Sequence, residues 1–431
     1  MRIVIANTSA AVAMAAFLSW PISASALPEQ VVNVNCDSGA RISQALGRPT
    51  PGDRRLVVLV GGTCNENVTI ERDDVTLRAQ SYGGGVSATD ASRSAILISG
   101  ARRVTLEGLT VAGGLHGVHV VGGGSVAIRA SGIRNAVRNG VAVDSGASAS
   151  IDASTIENHG RTGVFVGGAG ATMTGSLVRG NGLSGVSSVQ GGSVTLGDID
   201  ALGNVCCGNT IDGNTLDGVT IADNAVAVLY GNTIQGNGTS SGRFGVLVVE
   251  QSSVLLRGGN VVQGNGRVGT GGGGGIFARG GATIRTGPGD TPSNPATNEI
   301  SGNAFGIQAF SNSHLDLRGG PRITGNTFTG VVADQGTRLR TDSAFIASNG
   351  AHGIFVARGS AVDFFGGGAS VTGNRAFGLY CADGESHYSG NIGGITGNTL
   401  GDVSCTLYPP PPPPLPGPPP PGGLPPTIPP S

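Results

Sequence analysis

The sequence predicts an all-β chain folded as a right-handed parallel β-helix solenoid of about 13 coils, with a short N-terminal capping segment. Three observations point there. Asparagines in similar surroundings recur at 135, 158, 181 and 204, each 23 residues after the last, and the same spacing separates 214 from 237, 303 from 326 and 326 from 349. Each unit holds two or three short apolar alternations, such as Val141-Val143 and Val194-Leu196, and no window with a helical period. The 431 residues include 78 Gly, and only 12% are charged, which suits short strands joined by tight turns and excludes an ordinary helical domain.

Three strands bent round by turns make one coil, and each strand pairs with its counterpart about 4.8 Å above. A Gly-Asn corner fits because both residues tolerate positive φ, and stacked Asn side chains can hydrogen-bond along the axis. The recurring phrase therefore specifies a corner, not a catalyst. In this register Val164, Val166, Val219, Ile221, Ile354 and Val356 point inward. The residue between each inward pair points out, giving His119, Ala142, Phe165, Ser187, Thr220, Leu247, Phe277, Gln308, Val332, Phe355 and Tyr380 in ascending order. The coils run from about Val75 to Cys405 in a rod of about 60 Å.

The formal charge of −1 provides no basic patch for nucleic acid. All 26 basic residues are Arg, so lysine catalysis is excluded. Residues 1–26 read as a secretory signal: Arg2, a mostly apolar run from Ile3 to Leu18, and Ala24-Ser25-Ala26 as the cleavage site. No later stretch is apolar and long enough to span a bilayer, so the mature form is expected outside the cytoplasm, secreted or periplasmic. Residues 27–74 are assigned to the cap and first strands, 75–408 to the solenoid, and 409–431 to an extended Pro-rich spacer.

Six cysteines then sit where disulfides form. Cys381 and Cys405 each lie seven residues after a corner asparagine, Asn374 and Asn398, so they share a phase in adjacent coils and are expected to pair. Cys36–Cys64 follows by elimination at the N-terminal end. For Cys206-Cys207 a vicinal disulfide, an intermolecular link and free thiols all stay open.

The segment ISQALGRPTPGDRRLVVLVGGTCNENVTIERDDVTLRA, Ile42 to Ala79, resembles the opening segment of the pectin-lyase-like superfamily: an amphipathic helix, a strand, a Gly-Thr turn and an E-N-V-x-I phrase. The repeats after it look like those of bacterial right-handed parallel β-helix proteins, so the likeness spans about Val31 to Cys405. The resemblance implies the fold. For activity it implies polysaccharide lyases, hydrolases, esterases or epimerases, beside adhesins and tailspikes, and fold alone does not choose among them. The residue sets of those enzymes are missing. Asn209-Thr210-Ile211-Asp212 only echoes the Asn-Thr-Asp turn of polygalacturonase-like hydrolases, and His116-Gly117 and His352-Gly353 lack their partners. There is no Asp-Pro-His phrase, no Gln/Asp/Asp/Arg set and no calcium nonapeptide.

Two places are candidates for function. The period breaks between residues 198 and 300, where insertions could wall a groove that collects Asp198, Asp200, Asp212 and Asp217 as weak candidates for glycoside chemistry or a calcium site without a recognised motif. The outward stripe through Phe277, Val332, Phe355 and Tyr380 carries no charge and suits a subunit contact in a homo-oligomer, a covering segment, or stacked sugar rings. The expected function is binding or processing of an extracellular polysaccharide or cell-surface component. The alternative is a non-catalytic surface or matrix rod.

Overall fold

A computed structural model describes residues 28–49, 54–144, 146–200, 204–238, 242–266, 273–287, 297–366 and 368–407. The signal segment, the Pro-rich tail, and parts of the inserted loops at 239–241, 267–272 and 288–296 lie outside the described residues. Within them the chain winds into a parallel solenoid. A representative coil contains strands Val141–Asp144, Ser148–Asp152 and Thr155–Glu157, after which Val164–Gly167 begins the next. The first face of the solenoid is a 14-stranded parallel sheet, one strand per coil, from Val68–Ile70 to Gly401–Ser404. The second and third faces join into one 28-stranded sheet. No helix of the described residues is long and apolar enough to cross a membrane.

The core is what the register predicts: Val141, Val143, Val166, Val219, Ile221, Ile354 and Val356 are all 0% exposed. Stacking begins before Val75, however. Glu29–Asn35 already pairs in parallel with Arg55–Asn65, and the Cys36–Cys64 disulfide ties the two. Between them lies the helix Ile42–Leu46, which buries Ile42 and Ala45. Its Ile42 and Ser43 amides donate to the buried Glu66 carboxylate at 2.6 and 3.2 Å, an anion on the positive end of the helix. Gly62-Thr63 is not a turn but part of an 11-residue strand, bulged where the register shifts between Val60 and Gly62. At the other end Cys381 and Cys405 are bridged, with Cα atoms 4.7 Å apart.

The corner after the third strand carries an asparagine ladder. Asn181, Asn214, Asn237, Asn265, Asn303, Asn326, Asn349 and Asn374 each pass their backbone N–H to the Oδ1 of the next, at 2.9–3.1 Å, and the series ends at Asn398, whose amide donates to Asp402. Each Nδ2 donates to the same Oδ1. The ladder corrects the 23-residue count in two places. Asn135 and Asn158 sit one residue early, at φ 61° and 59°, where later coils have Gly180 and Gly213 at 62° and 61°. In those coils Ala136 and His159 hold the ladder position, and the Ala136 amide donates to His159 Nδ1. Asn204 is not in the ladder. It lies in an inserted antiparallel hairpin, Asp198–Ile199 with Val205–Cys206, and Asn214 takes its place.

A second ladder, absent from the sequence reading, runs up the corner between the second and third faces. There Ser131, Ser154 and Ser176 are followed by Asn209, Asn232, Asn260 and Asn298.

Candidate functional site

The four aspartates fall into three places. Asp198 opens the inserted hairpin, and its carboxylate accepts the Ile199 amide at 2.8 Å. Asp200 closes that hairpin by accepting the Asn204 amide and side-chain Nδ2 at 2.8 and 3.1 Å. Asp212 ends a third-face strand, in register with Arg179 below and Gln235 above. Asp217 is buried at 2% exposure, where it accepts the Phe244 amide at 2.9 Å and approaches Arg243 at 4.0 Å. Burial raises its carboxyl above the ordinary range, opposed by the Phe244 amide and the Arg243 charge. Asp198 and Asp200 thus serve local backbone, as Asx-type turn residues do, and Asp217 holds an amide of the next coil. Among the described residues no three His, Cys, Asp or Glu side chains come together as a metal site. The unbridged Cys206 and Cys207 sulfurs are 2.6 Å apart, and the neighbouring Cys207 sulfur pushes the Cys206 thiol up to about 11.

The outward stripe forms one continuous column on the first face. Ala142 pairs with His119 and Phe165, Phe277 with Leu247 and Gln308, and Phe355 with Val332 and Tyr380. Its aromatics gather into two groups. Phe277 stacks on Phe244 at 4.5 Å and on Phe310 at 5.5 Å between centroids. Tyr380 packs against His352 at 4.7 Å, Phe377 at 5.4 Å and Phe355 at 5.8 Å. Phe277, Phe355 and Tyr380 remain half-buried, with ring surface in reach of solvent, whereas Val332 is 8% exposed. Sequence reasoning placed the column but not the groups, because Phe310 and His352 reach them from outside the strands and Phe377 from the first residue of its strand.

The register placed His119 in this column, but its contacts with Asp144 and His116 were missed. His119, at the N-terminal end of the column, meets Asp144 at 3.1 Å between Nε2 and Oδ2, and the His116 ring lies 4.8 Å from it. The spacing held the signal. Asp144 is 25 residues after His119, one coil and two residues on, and so on the same side of the same face. Burial, helped by the nearby charges of His119, Arg138 and Arg161, lowers His116 to about 4, so its ring is neutral at pH 7.

The second face carries two concavities. A groove of about 820 Å³ near the N-terminal end is floored by Thr105, Ala127, Ser150, Thr172 and Thr195, with Arg55, Asp74 and Arg103 at its head. The Arg103 hydrogen bond and charge draw Asp74 below the usual carboxylate range. A second cleft, of about 480 Å³, lies near the C-terminal end and includes Arg338, Arg340 and Asp363.

Residues 94–286 match the family described as "Right handed beta helix region". This is a right-handed β-helix protein. No curated protein sequence matches the chain. Among solved structures, the Azotobacter vinelandii mannuronan C-5 epimerase AlgE4 A-module matches at 15% identity and TM-score 0.49, over 85% of this chain and 98% of that one. Pectate lyase Pel9A matches at 14% and 0.36, over 66% of this chain and 77% of that one. The catalytic domain of a GH87 α-1,3-glucanase, in complex with tetrasaccharides, matches at 14% and 0.38, over 85% and 69%. At these identities the likeness is one of shape.

Proposed function

We propose that this β-helix protein binds polysaccharide along its first face, with the ring groups around Phe277 and Tyr380 as platforms. The observation that carries the reading is the pair of stacked aromatic groups on a column without a charged side chain from Ala142 to Tyr380. Phe277 and Phe355 are three coils apart in register, about 14 Å, so one extended polymer lying along the axis can touch both groups. Aromatic platforms bind apolar ring faces without needing charge, and a chain laid on strands needs no deep pocket. Asp217, whose carboxyl burial raises, is 3% exposed at its side chain and out of a ligand's reach. The reading is therefore of a binder.

The test is affinity electrophoresis of the protein in gels containing neutral polysaccharides. Phe277→Ala combined with Tyr380→Ala is expected to weaken retention roughly thirtyfold, at about 1 kcal/mol per ring. Unchanged retention in the double variant would sink the proposal. So would a wild type that no polysaccharide retards and that sediments as a dimer which the double variant breaks; that result would assign the stripe to a second copy of the chain.

A further inference from the structure

The outward column of the second face changes character along the rod. Its N-terminal half reads Thr105, Ala127, Ser150, Thr172 and Thr195. Beyond Leu255 it reads Arg285, Asp316, Arg340 and Asp363, one coil apart and in register. Alternating charges at this spacing would ordinarily pair along the column. They do not pair evenly. Asp316 is taken by Arg318 of its own coil, whose Nε donates to both carboxylate oxygens at 2.7 and 2.9 Å, and Arg285 approaches the same group at 3.6 Å. Asp363 accepts the Ser389 hydroxyl at 3.0 Å.

Arg340 is left between two carboxylates already engaged. Its guanidinium lies over the Phe365 ring at 4.0 Å, and its Nε is buried with no hydrogen-bond partner among the described residues. A buried, unsatisfied N–H on a cation is costly unless something fills it. Two residues earlier on the same strand, Arg338 faces the same side, is exposed, and makes no ion pair among the described residues. His314 and His387 belong to the column of Arg338. Together His314, Arg338, Arg340, Asp363, His387 and Ser389 line the cleft of about 480 Å³.

We propose that this cleft holds an oxyanion substituent, a carboxylate or a sulfate, of an acidic polysaccharide, with the Arg340 and Arg338 guanidinium groups as its donors. A guanidinium presents a planar fork matched to such oxygens, and stacking on Phe365 fixes the plane of that fork. Asp363 opposes the anion, but two full positive charges stand against its one. The proposal rests on the polysaccharide reading for the class of ligand only. Cleft and aromatic stripe lie on different faces, so their variants report independently.

The experiment is titration calorimetry of the full chain with oligogalacturonate, a sulfated oligosaccharide, sodium sulfate and a neutral oligosaccharide. The Arg Nε–H resonances are followed by NMR in parallel. Expected are binding of an acidic oligosaccharide that weakens with salt, a shift of the Arg340 Nε–H resonance, and a roughly tenfold loss in Arg340→Gln. Arg129→Gln, at an exposed arginine outside the cleft, is the control and should bind as wild type does. The uronate and sulfate arms separate the two sources of the anion. Acidic binding unchanged by Arg340→Gln, or a shift with sodium sulfate but with no acidic oligosaccharide, would overturn the proposal. Loss of neutral binding in the Phe277/Tyr380 variant leaves it standing, and loss of acidic binding in Arg340→Gln leaves the stripe standing.

Discussion

Replacing Asn326 by alanine is expected to cost about 3–5 kcal/mol, more than a change at any exposed residue of this protein. Asn326 is 1% exposed and sits in the middle of the ladder. Its amide and Nδ2 donate to Asn349 Oδ1 at 3.1 and 2.9 Å, and Nδ2 also donates to the Ile300 carbonyl at 3.2 Å. Its own Oδ1 accepts from Asn303 through both nitrogens, at 3.1 and 3.3 Å. Alanine keeps only the backbone donor. It leaves the Asn303 amide without an acceptor, the Asn303 Nδ2 with the Val262 carbonyl alone, and the Ile300 carbonyl without this donor, in a corner too tight for water to replace them. The glycine column shows how tight such corners are: a Cβ added at Gly245 would stand 2.8 Å from Asn265 Nδ2 and 2.7 Å from Val262 Cγ1. Because a solenoid coil contacts only its neighbours, the damage should be local. Hydrogen exchange should rise most steeply in the coils holding Asn303, Asn326 and Asn349, and the urea midpoint should fall. Asn135→Gly is the control, since Asn135 merely holds φ 61°, a conformation glycine adopts without strain. If both substitutions cost the same, the ladder is not what stabilises the corner.

That contrast also shows what the sequence made legible. The coil period, the inward valines and the Cys381–Cys405 disulfide could be read because a stacked coil repeats its chemistry at fixed phase, and Cys36–Cys64 followed by elimination. Asn135 and Asn326 look alike in sequence because a left-handed turn residue and a ladder residue are neighbours at one corner, and both positions favour asparagine. Only the hydrogen bonds separate them. The second ladder was hidden by a change of residue, from Ser131, Ser154 and Ser176 to Asn209, although hydroxyl and amide accept the same backbone N–H. The aspartates between 198 and 217 looked clustered because the insertion among them was expected to wall a groove that collects them. The hairpin lifts Asp198 and Asp200 out of the stack and leaves Asp217 inside it. The Arg340 cleft had no sequence signal, since what distinguishes Arg340 from Arg285 is the direction taken by Arg318 two residues after Asp316.

His159 should make the protein acid-sensitive in a way that one substitution removes. It occupies the ladder position below Asn181, 2% exposed, with its backbone N–H on Asn181 Oδ1 at 3.1 Å. Its Nδ1 accepts the Ala136 amide at 3.0 Å, so the proton must sit on Nε2, which faces the Ile133 carbonyl at 3.1 Å. Burial lowers its pKa to about 4, against smaller opposing pulls from the Ile133 carbonyl and Glu157. In the unfolded chain an ordinary histidine titrates near 6.5. The folded state therefore resists a proton that the unfolded state accepts. The stability this histidine contributes is complete above about pH 6.5 and drains away as pH falls towards 4, by about 3 kcal/mol in all. Protonation would also put a hydrogen on Nδ1, opposite the Ala136 amide it must accept from. In His159→Asn, Oδ1 can take the Ala136 amide and Nδ2 can serve the Ile133 carbonyl, as the rungs from Asn214 onward do, and the imidazole that titrates is gone. Urea midpoints measured from pH 7 to pH 4 should accordingly fall further for the wild type than for His159→Asn. His116, also lowered to about 4, is present in both proteins, so the difference isolates the ladder histidine. Parallel pH profiles would mean that the corner opens to water and accepts the charge at little cost, and the dry, hydrogen-bonded corner argued for Asn326 would fall with it.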